Sequence, residues 1–83
     1  MTPEQALGKA IRMRRLEIEL SQEQLAEHCA MDQTYLSQIE RSRRQPSVKT
    51  LRKIAQALRV PLSELIRDAE VREQEAQYKL DDQ

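Results

Sequence analysis

The sequence predicts an all-α fold of five helices. Apolar residues recur at spacings of three and four, which is the period of a helix with one buried face. Residues that cap helices stand ahead of four of these stretches, at Thr2, Ser21, Asp32 and Ser47. No stretch shows the alternation of apolar and polar residues that predicts a strand, so helices alone account for the pattern.

Composition limits the chain to one small domain with an aliphatic core. It has 83 residues, of which 39% are hydrophobic and only two are aromatic, so little apolar surface is available for folding. No apolar run approaches the roughly 20 residues of a membrane span, and no apolar signal segment opens the chain. One Cys and one His predict neither a disulfide nor a metal site. We expect Cys29 to be a small core residue and His28 to be exposed.

Helix one is predicted to begin at Pro3 and to end near residues 17–20. Thr2 and Gln5 form a Thr-x-x-Gln capping box, and proline fits the first helical position. The apolar face of this helix is formed by Leu7, Ala10, Ile11 and Ile18. Gly8 lies inside the helix, where glycine costs ~1 kcal/mol relative to alanine. We therefore expect a close contact with another helix at Gly8.

Two short helices around a tight turn are predicted next. The first, at about 22–29, follows a capping box of Ser21 and Gln24. The second, at about 33–41, follows Asp32, whose carboxylate can accept N–H groups at a helix start. Their apolar faces are formed by Leu25, Ala26, Cys29, Leu36 and Ile39. Two such helices make a helix-turn-helix, and its second helix is shaped to enter a DNA major groove.

The next two helices follow a polar loop. Ser47 caps helix four, which is predicted from Val48 to about Leu58. Its apolar stripe is formed by Val48, Leu51, Ile54, Ala55 and Leu58. Pro61 is predicted as the first residue of helix five. The apolar face of helix five is formed by Leu62, Leu65, Ile66 and Ala69, with Leu65 toward the core.

Beyond residue 67 the apolar pattern thins and acidic residues dominate. We therefore divide the chain into a domain of residues 1–67 and an acidic extension or tail of residues 68–83. Helix-forming residues without Gly or Pro favour an extension of helix five, and a frayed tail is the alternative.

Net charge is zero, but the charges are unevenly placed. Residues 1–66 hold 11 Lys/Arg and 8 Asp/Glu, whereas residues 67–83 hold 3 and 6. Residues 41–53 hold six basic residues and no acidic one. A cationic segment directly after a helix-turn-helix is typical of phosphate binding, and a solvated basic loop is the alternative.

Four segments resemble the Cro/C1-type (XRE) helix-turn-helix family, a family of small DNA-binding regulators. They read LSQEQLA, YLSQIER, PSVKTLRKIAQAL and VPLSELI, in the order and spacing of that family. The resemblance implies the compact five-helix domain of phage repressors. Residues 32–41 are similar to the recognition helix of restriction–modification controller proteins, although Gln33 stands where those proteins often have Arg. The family often has Gly at the positions of Glu19, Ala30, Ser42 and Arg59.

The exposed face of helix three supplies the candidate base contacts. Residues at spacings of three and four share this face, and they are Gln33, Thr34, Ser37, Gln38 and Arg41. Gln pairs with adenine through two hydrogen bonds, and Thr offers a methyl group to thymine. The resemblance favours Gln33, Thr34 and Gln38 as base-reading residues. Tyr35 is a candidate for a base or phosphate contact at the edge, and packing against helix four is its alternative role.

Helix starts and the basic loop supply the candidate backbone contacts. The resemblance gives Gln22 a phosphate contact, and an ordinary solvated role is the alternative. Ser47 and Lys49 stand at the start of helix four. In the loop, one of Arg43 and Arg44 is a candidate for a phosphate contact and the other for a contact in a groove. The resemblance to controller proteins favours Arg44 for the base contact.

The resemblance also implies a structural ion pair and a dimer. Glu40 is expected to pair with Arg15, with Arg14 as the alternate, and to hold the fold rather than to touch DNA. Family members bind symmetric half-sites as dimers. We expect the dimer surface to include Leu62, Ile66 and Val71.

The sequence thus predicts a sequence-specific transcriptional regulator that binds a palindromic double-stranded DNA operator as a homodimer. The alternative is an antitoxin-type or other interaction module that binds a partner protein through residues 68–83. RNA polymerase and a toxin-type protein are the candidate protein partners. No catalytic set, cofactor or metal is predicted. We expect a bacterial or phage-encoded protein of the cytoplasm, without membrane contact.

Overall fold

A computed structural model describes the backbone of residues 1–81 and the side chains of residues 1–76. The element order is α1 (Pro3–Glu17), α2 (Gln22–His28), α3 (Gln33–Glu40), α4 (Val48–Ala57) and α5 (Leu62–Asp81). No strand occurs within residues 1–81, and the predicted all-α five-helix fold is confirmed. None of these helices is both long enough and apolar enough to cross a bilayer.

Side-chain caps begin three of the helices as predicted. Thr2 and Gln5 form a reciprocal capping box at α1, and Ser21 and Gln24 form another at α2. The Ser47 hydroxyl accepts from the Thr50 N–H at 3.1 Å.

Helix α3 begins at Gln33 as predicted, but the predicted cap at Asp32 and the predicted first residue of α5 are wrong. Asp32 stands at the N-cap of α3 with extended backbone, but its side chain makes no capping hydrogen bond. Pro61 precedes α5 rather than opening it. Its carbonyl accepts from the N–H groups of Glu64 and Leu65, which is the role of an N-cap residue.

The core is aliphatic and contiguous across all five helices. Its largest fully buried side chains are Ile11, Leu25, Leu36, Ile39, Ile54, Leu58 and Leu65. Cys29 is 4% exposed and is a core residue, as predicted. Ile18 and Val48, which we placed on apolar faces, are 40% and 61% exposed. Ile18 is the C-cap residue of α1 and Val48 is the first residue of α4, so each stands at a helix end.

Gly8 is the point at which α1 meets the end of α3. A Cβ at this position would lie 2.5 Å from the carbonyl oxygen of Glu40 and 2.8 Å from that of Ile39. The predicted close helix contact is confirmed, because only a residue without a side chain allows this approach.

Four non-glycine residues adopt left-handed backbone, and each follows the end of one of α1–α4. They have φ between 52° and 62° and are Glu19, Ala30, Ser42 and Arg59. These are the four positions at which the resembling family often has Gly. Each turn closes with the hydrogen bonds of a Schellman motif, as in the pair Ala30 N–H to Glu27 carbonyl and Met31 N–H to Ala26 carbonyl.

Helix α5 crosses the predicted boundary at residues 67–68 without a break. Ala69 is buried, and the Asp68 carboxylate accepts from Arg14 Nε at 2.7 Å. This hydrogen bond raises the pKa of the Arg14 guanidinium. The first turn of the acidic extension therefore packs on α1. The predicted extension of helix five is present as far as Asp81, and residues 82–83 lie outside the described part of the chain.

Candidate nucleic-acid interface

A shallow polar concavity lies over α3, the start of α2 and the loop after α3. Its lining residues are Gln22, Gln33, Thr34, Ser37, Gln38, Arg41 and Arg43. Two of these side chains are guanidinium groups, and no carboxylate lines the concavity among the described side chains. The five residues predicted for the exposed face of α3 are all brought together here.

The amphipathic sequence of α3 fixes which side chains face outward. Leu36 and Ile39 are 0% and 2% exposed and anchor the inner side of the helix. Gln33 and Thr34 are exposed at its start. Arg41 lies one turn after Ser37, and its Nε and Nη2 donate to the Ser37 hydroxyl oxygen at 3.2 and 2.8 Å. The hydroxyl keeps its own proton to donate to a ligand.

A buried ion pair holds α3 against α1. Arg15 Nε and Nη2 donate to the two carboxylate oxygens of Glu40 at 2.9 and 3.0 Å. Arg15 Nη1 also donates to the Leu20 carbonyl at 2.9 Å, so the same guanidinium holds the turn before α2. Both side chains are buried. Arg14, the alternate partner in our prediction, instead pairs with Asp68 and Glu64 of α5.

Gln22 connects this ion pair with the concavity. Its Nε2 donates to Glu40 Oε1 at 3.3 Å, and its Oε1 accepts from Gln33 Nε2 at 3.5 Å. Because a carboxylate only accepts hydrogen bonds, Glu40 fixes which end of the Gln22 amide faces Gln33. Sequence reasoning missed this link, since no local pattern relates residues 18 positions apart.

The two loop arginines lie on different sides of the loop. Arg43 lines the concavity, whereas the guanidinium of Arg44 lies over the ring of Tyr35, 5.6 Å from its centroid. That distance is within the range of a cation–π interaction. Tyr35 is half-buried and packs against the core. Arg44, our favoured base contact, is therefore the loop arginine that the structure does not place in the concavity.

Ser47 and Lys49 lie outside the concavity, at the start of α4. The Ser47 hydroxyl is occupied as the cap and also donates to Thr50 Oγ1 at 3.1 Å. Lys49 is exposed in the first turn. Of this pair, Lys49 has the side chain that is free to reach a phosphate oxygen.

The three predicted dimer residues do not form one surface. Leu62 and Ile66 line a groove between α4 and α5. Val71 is 43% exposed and lines a different, charged groove beside Arg14 and Glu17 of α1. Five residues along a helix turn the side chain by about 140°, which accounts for the separation of Val71 from Ile66. Val71 therefore lies on a different face of α5 from Leu62 and Ile66, and its place in the dimer surface stays a prediction.

Comparison with known proteins decides the family. The sequence profile of the helix-turn-helix family matches residues 11–65 of this chain. The chain belongs to the Cro/C1-type helix-turn-helix family. The matched segment begins in α1 and ends in α5, so it includes the concavity, the buried ion pair and the basic loop.

The relatives of this chain include a phage repressor and a control protein. The immunity repressor protein of Bacillus phage phi105 is 37% identical over 73 residues, covering 87% of this chain and 51% of that protein. Control protein C.MunI of Mycoplasma sp is 40% identical over 63 residues, covering 76% of this chain and 85% of that protein. This chain thus spans about half the length of the phage repressor. The predicted similarity to controller proteins is confirmed.

A solved structure shows the same fold. The clp gene regulator ClgR from Corynebacterium glutamicum superposes with a TM-score of 0.85 and is 29% identical in sequence. The superposition covers 96% of this chain and 87% of that chain. It therefore includes α5 as well as the helix-turn-helix.

Proposed function

We propose that this chain is a transcriptional regulator that binds a palindromic double-stranded DNA operator as a homodimer. The observation that carries the proposal is the polar concavity on α3, which is cationic and lies opposite a fully buried helix face. Such a surface can approach a polyanion without exposing the core. The family membership and the regulators among its relatives support the same function.

The size of α3 suits a major groove. An α-helix with its side chains is about 10–12 Å in diameter, which matches the width of about 12 Å of that groove in B-DNA. Gln33 and Thr34 lead into the groove and read base edges. Gln33 Nε2 donates to Gln22 Oε1 at 3.5 Å, and the second N–H and the carbonyl oxygen of the Gln33 amide suit the two hydrogen bonds of an adenine pair.

Backbone contacts come from residues around the concavity. We assign phosphate contacts to Arg43 in the loop and to Lys49 at the start of α4, because both are exposed cations. Arg44 reaches a base from the loop once its guanidinium leaves the Tyr35 ring. Comparing Arg43→Ala with Arg44→Ala separates the two roles, because losing a base contact changes sequence preference and losing a phosphate contact weakens all sites alike.

The α4–α5 groove is the proposed dimer surface. Its apolar atoms come from Ala55, Val60, Leu62 and Ile66. Ile66→Glu is expected to give a monomer in sedimentation, since the charge would be buried between two copies. Val71→Glu is the matched control, because it puts the same charge on another face of α5. A dimer that survives Ile66→Glu and dissociates with Val71→Glu would move the interface to the charged groove.

The decisive experiment is selection of bound sites from random double-stranded DNA. We expect an inverted repeat whose half-site centres lie about one helical turn apart. In a fluorescence-anisotropy titration at fixed salt, Gln33→Ala should lose roughly 1–3 kcal/mol of discrimination at one base pair. Lys49→Ala should weaken binding to all sequences. It should also lower the slope of log affinity against log salt concentration by about 1 in magnitude. Equal affinity for selected and random DNA would refute sequence-specific binding.

A partner-binding tail requires a different truncation from the one that the sequence suggests. Removing residues 68–83 would also remove Asp68, which pairs with Arg14, and the buried Ala69. A chain ending at residue 76 keeps these contacts. Retained operator binding by this shorter chain, with loss of capture of RNA polymerase or a toxin-type protein, would identify a separate role for the end of the chain.

We also propose that the protein has no catalytic activity and acts in the cytoplasm of a bacterial cell. The relatives named above are regulators and repressors.

A further inference from the structure

A second, apolar cavity lies behind the DNA-facing loop. It has a volume of about 260 Å³ and lies between the start of α1, the middle of α5 and the loop after α3. Its apolar walls come from Leu7, Ile39, Ile66 and Ala69. An apolar cavity of about 150 Å³ is large enough to bind benzene. This cavity can therefore hold one aromatic ring with a short alkyl chain.

The charged residues around this cavity favour a ligand with a positive charge. Three carboxylates line it, from Glu4, Glu70 and Glu73, against one guanidinium, from Arg44. None of the three carboxylates forms an ion pair with a side chain of residues 1–76. A cation at the rim would lower the repulsion among them, whereas an anion would raise it.

We propose that this cavity binds a small amphipathic amine, with an apolar body inside and an ammonium group among the carboxylates. Bound amine strengthens DNA binding through the loop that forms one wall. Binding of the amine does not depend on the proposed DNA function, whereas its effect on DNA affinity rests on it.

The loop joins the two sites physically. The Ser42 hydroxyl donates to the Glu4 carbonyl at 3.0 Å, which fastens the loop to α1 beside the cavity. Arg43 faces the concavity on α3, and the next residue, Arg44, faces the cavity. An ammonium group among the carboxylates weakens their attraction for Arg44 and adds one positive charge to the protein. Both changes favour contact with phosphates.

The binding test is an NMR titration of the full isotope-labelled chain with three probes that share one apolar body. They are 4-phenylbutylamine, 4-phenylbutan-1-ol and 4-phenylbutyrate. We expect the amine to bind most tightly and the carboxylate least, with shifts at the amides of Leu7, Gly8 and Ala69. Absence of shifts at these amides with the amine, or binding of the carboxylate as tight as that of the amine, would overturn the proposal.

Variants test whether the carboxylates are responsible. Glu4→Gln with Glu73→Gln should weaken amine binding by roughly fivefold and leave alcohol binding unchanged, because two partly exposed charge interactions are lost. Glu70 and Ile66 are left intact, since both also line the α4–α5 groove. Glu75→Gln is the matched control, because it removes a carboxylate from the other side of α5. Equal weakening by the control would overturn the assignment.

Coupling is measured by anisotropy with the selected operator at fixed salt. Saturating amine should strengthen operator binding by about twofold or more, and operator should strengthen amine binding by the same factor, since linkage is reciprocal. Unchanged affinity overturns the coupling and leaves the site in place. A chain that binds no DNA under either condition refutes the proposed function, whereas the NMR titration still decides the amine site.

Discussion

Replacing Gly8 by alanine is expected to destabilise the fold, although alanine is the better helix former. In a helix interior this substitution gains about 1 kcal/mol from propensity. The new Cβ would lie 2.5 Å from the Glu40 carbonyl oxygen and 2.8 Å from that of Ile39. Both obstacles are backbone atoms, so no side-chain rotation removes them. To restore an ordinary 3.4 Å contact, α1 and α3 must separate by about 0.9 Å.

The steric term outweighs the propensity term. Overpacking a well-packed site typically costs about 1–3 kcal/mol, and a backbone obstacle belongs at the upper end of that range. The net loss is therefore about 1–2 kcal/mol, or a fall in Tm of about 5–15 °C for a domain of this size. Separation of α1 from α3 also strains the Arg15–Glu40 pair, which bridges the same two helices.

Urea and thermal denaturation followed by circular dichroism measure this loss. Lys9→Ala is the matched control, since Lys9 is the next residue of α1 and is exposed. Its effect should stay within about 0.5 kcal/mol. A Gly8→Ala variant as stable as the parent, or more stable, would show that α3 can move aside freely and would refute the reasoning.

Three further perturbations test other parts of the fold. Ala30→Gly should raise Tm by about 2–4 °C, because it relieves left-handed strain of about 1 kcal/mol and loses part of that gain to unfolded-state entropy. Arg15→Met should cost about 3 kcal/mol or more by leaving Glu40 buried and unpaired, and Arg15→Met with Glu40→Leu should recover most of that loss. Burial raises the pKa of the Cys29 thiol above its ordinary value of 9.0. Above pH 9.0 the unfolded chain loses this proton first, so stability is full below that pH and declines as the pH rises.

Each of these predictions has an outcome that contradicts it. An unchanged or lower Tm for Ala30→Gly would argue against strain at that turn, provided that Ala57→Gly, at the last residue of α4, is destabilised. If the double variant is as unstable as Arg15→Met alone, the loss of stability does not come from leaving the Glu40 carboxylate unpaired. For Cys29, urea titrations give the free energy of unfolding at several pH values above 9.0. The decline of this free energy with pH should be smaller in Cys29→Ala, and an equal decline would exclude the thiol as the cause.

Local chemistry made much of the fold predictable. Capping at Thr2, Ser21 and Ser47 depends on residues three positions apart, and such pairs are visible in a sequence. The missing cap at Asp32 depends on side-chain orientation, which the sequence pattern does not show. The exposure of Val48, the first residue of α4, depends on how the helices pack, which a local sequence pattern does not show.

The candidate site also combines features that a local sequence pattern predicts with features that depend on tertiary packing. Helical periodicity alone placed Gln33 and Ser37 on one outward face. It could not show that Arg43 and Arg44 diverge, because loop residues have no fixed period. The contact of Gln22 with the buried ion pair is a through-space relation, so only the structure reveals it.

The left-handed residues that end α1–α4 also bear on how long a molecule of this protein survives in a cell. A strain of about 1 kcal/mol raises the unfolded fraction of a marginally stable domain by about fivefold. Proteases remove chains chiefly from that fraction. Any molecule that binds only the folded chain lowers the fraction by mass action. Under the proposed function, chains held on an operator would therefore outlast free chains, and the unbound pool would turn over faster than the bound one.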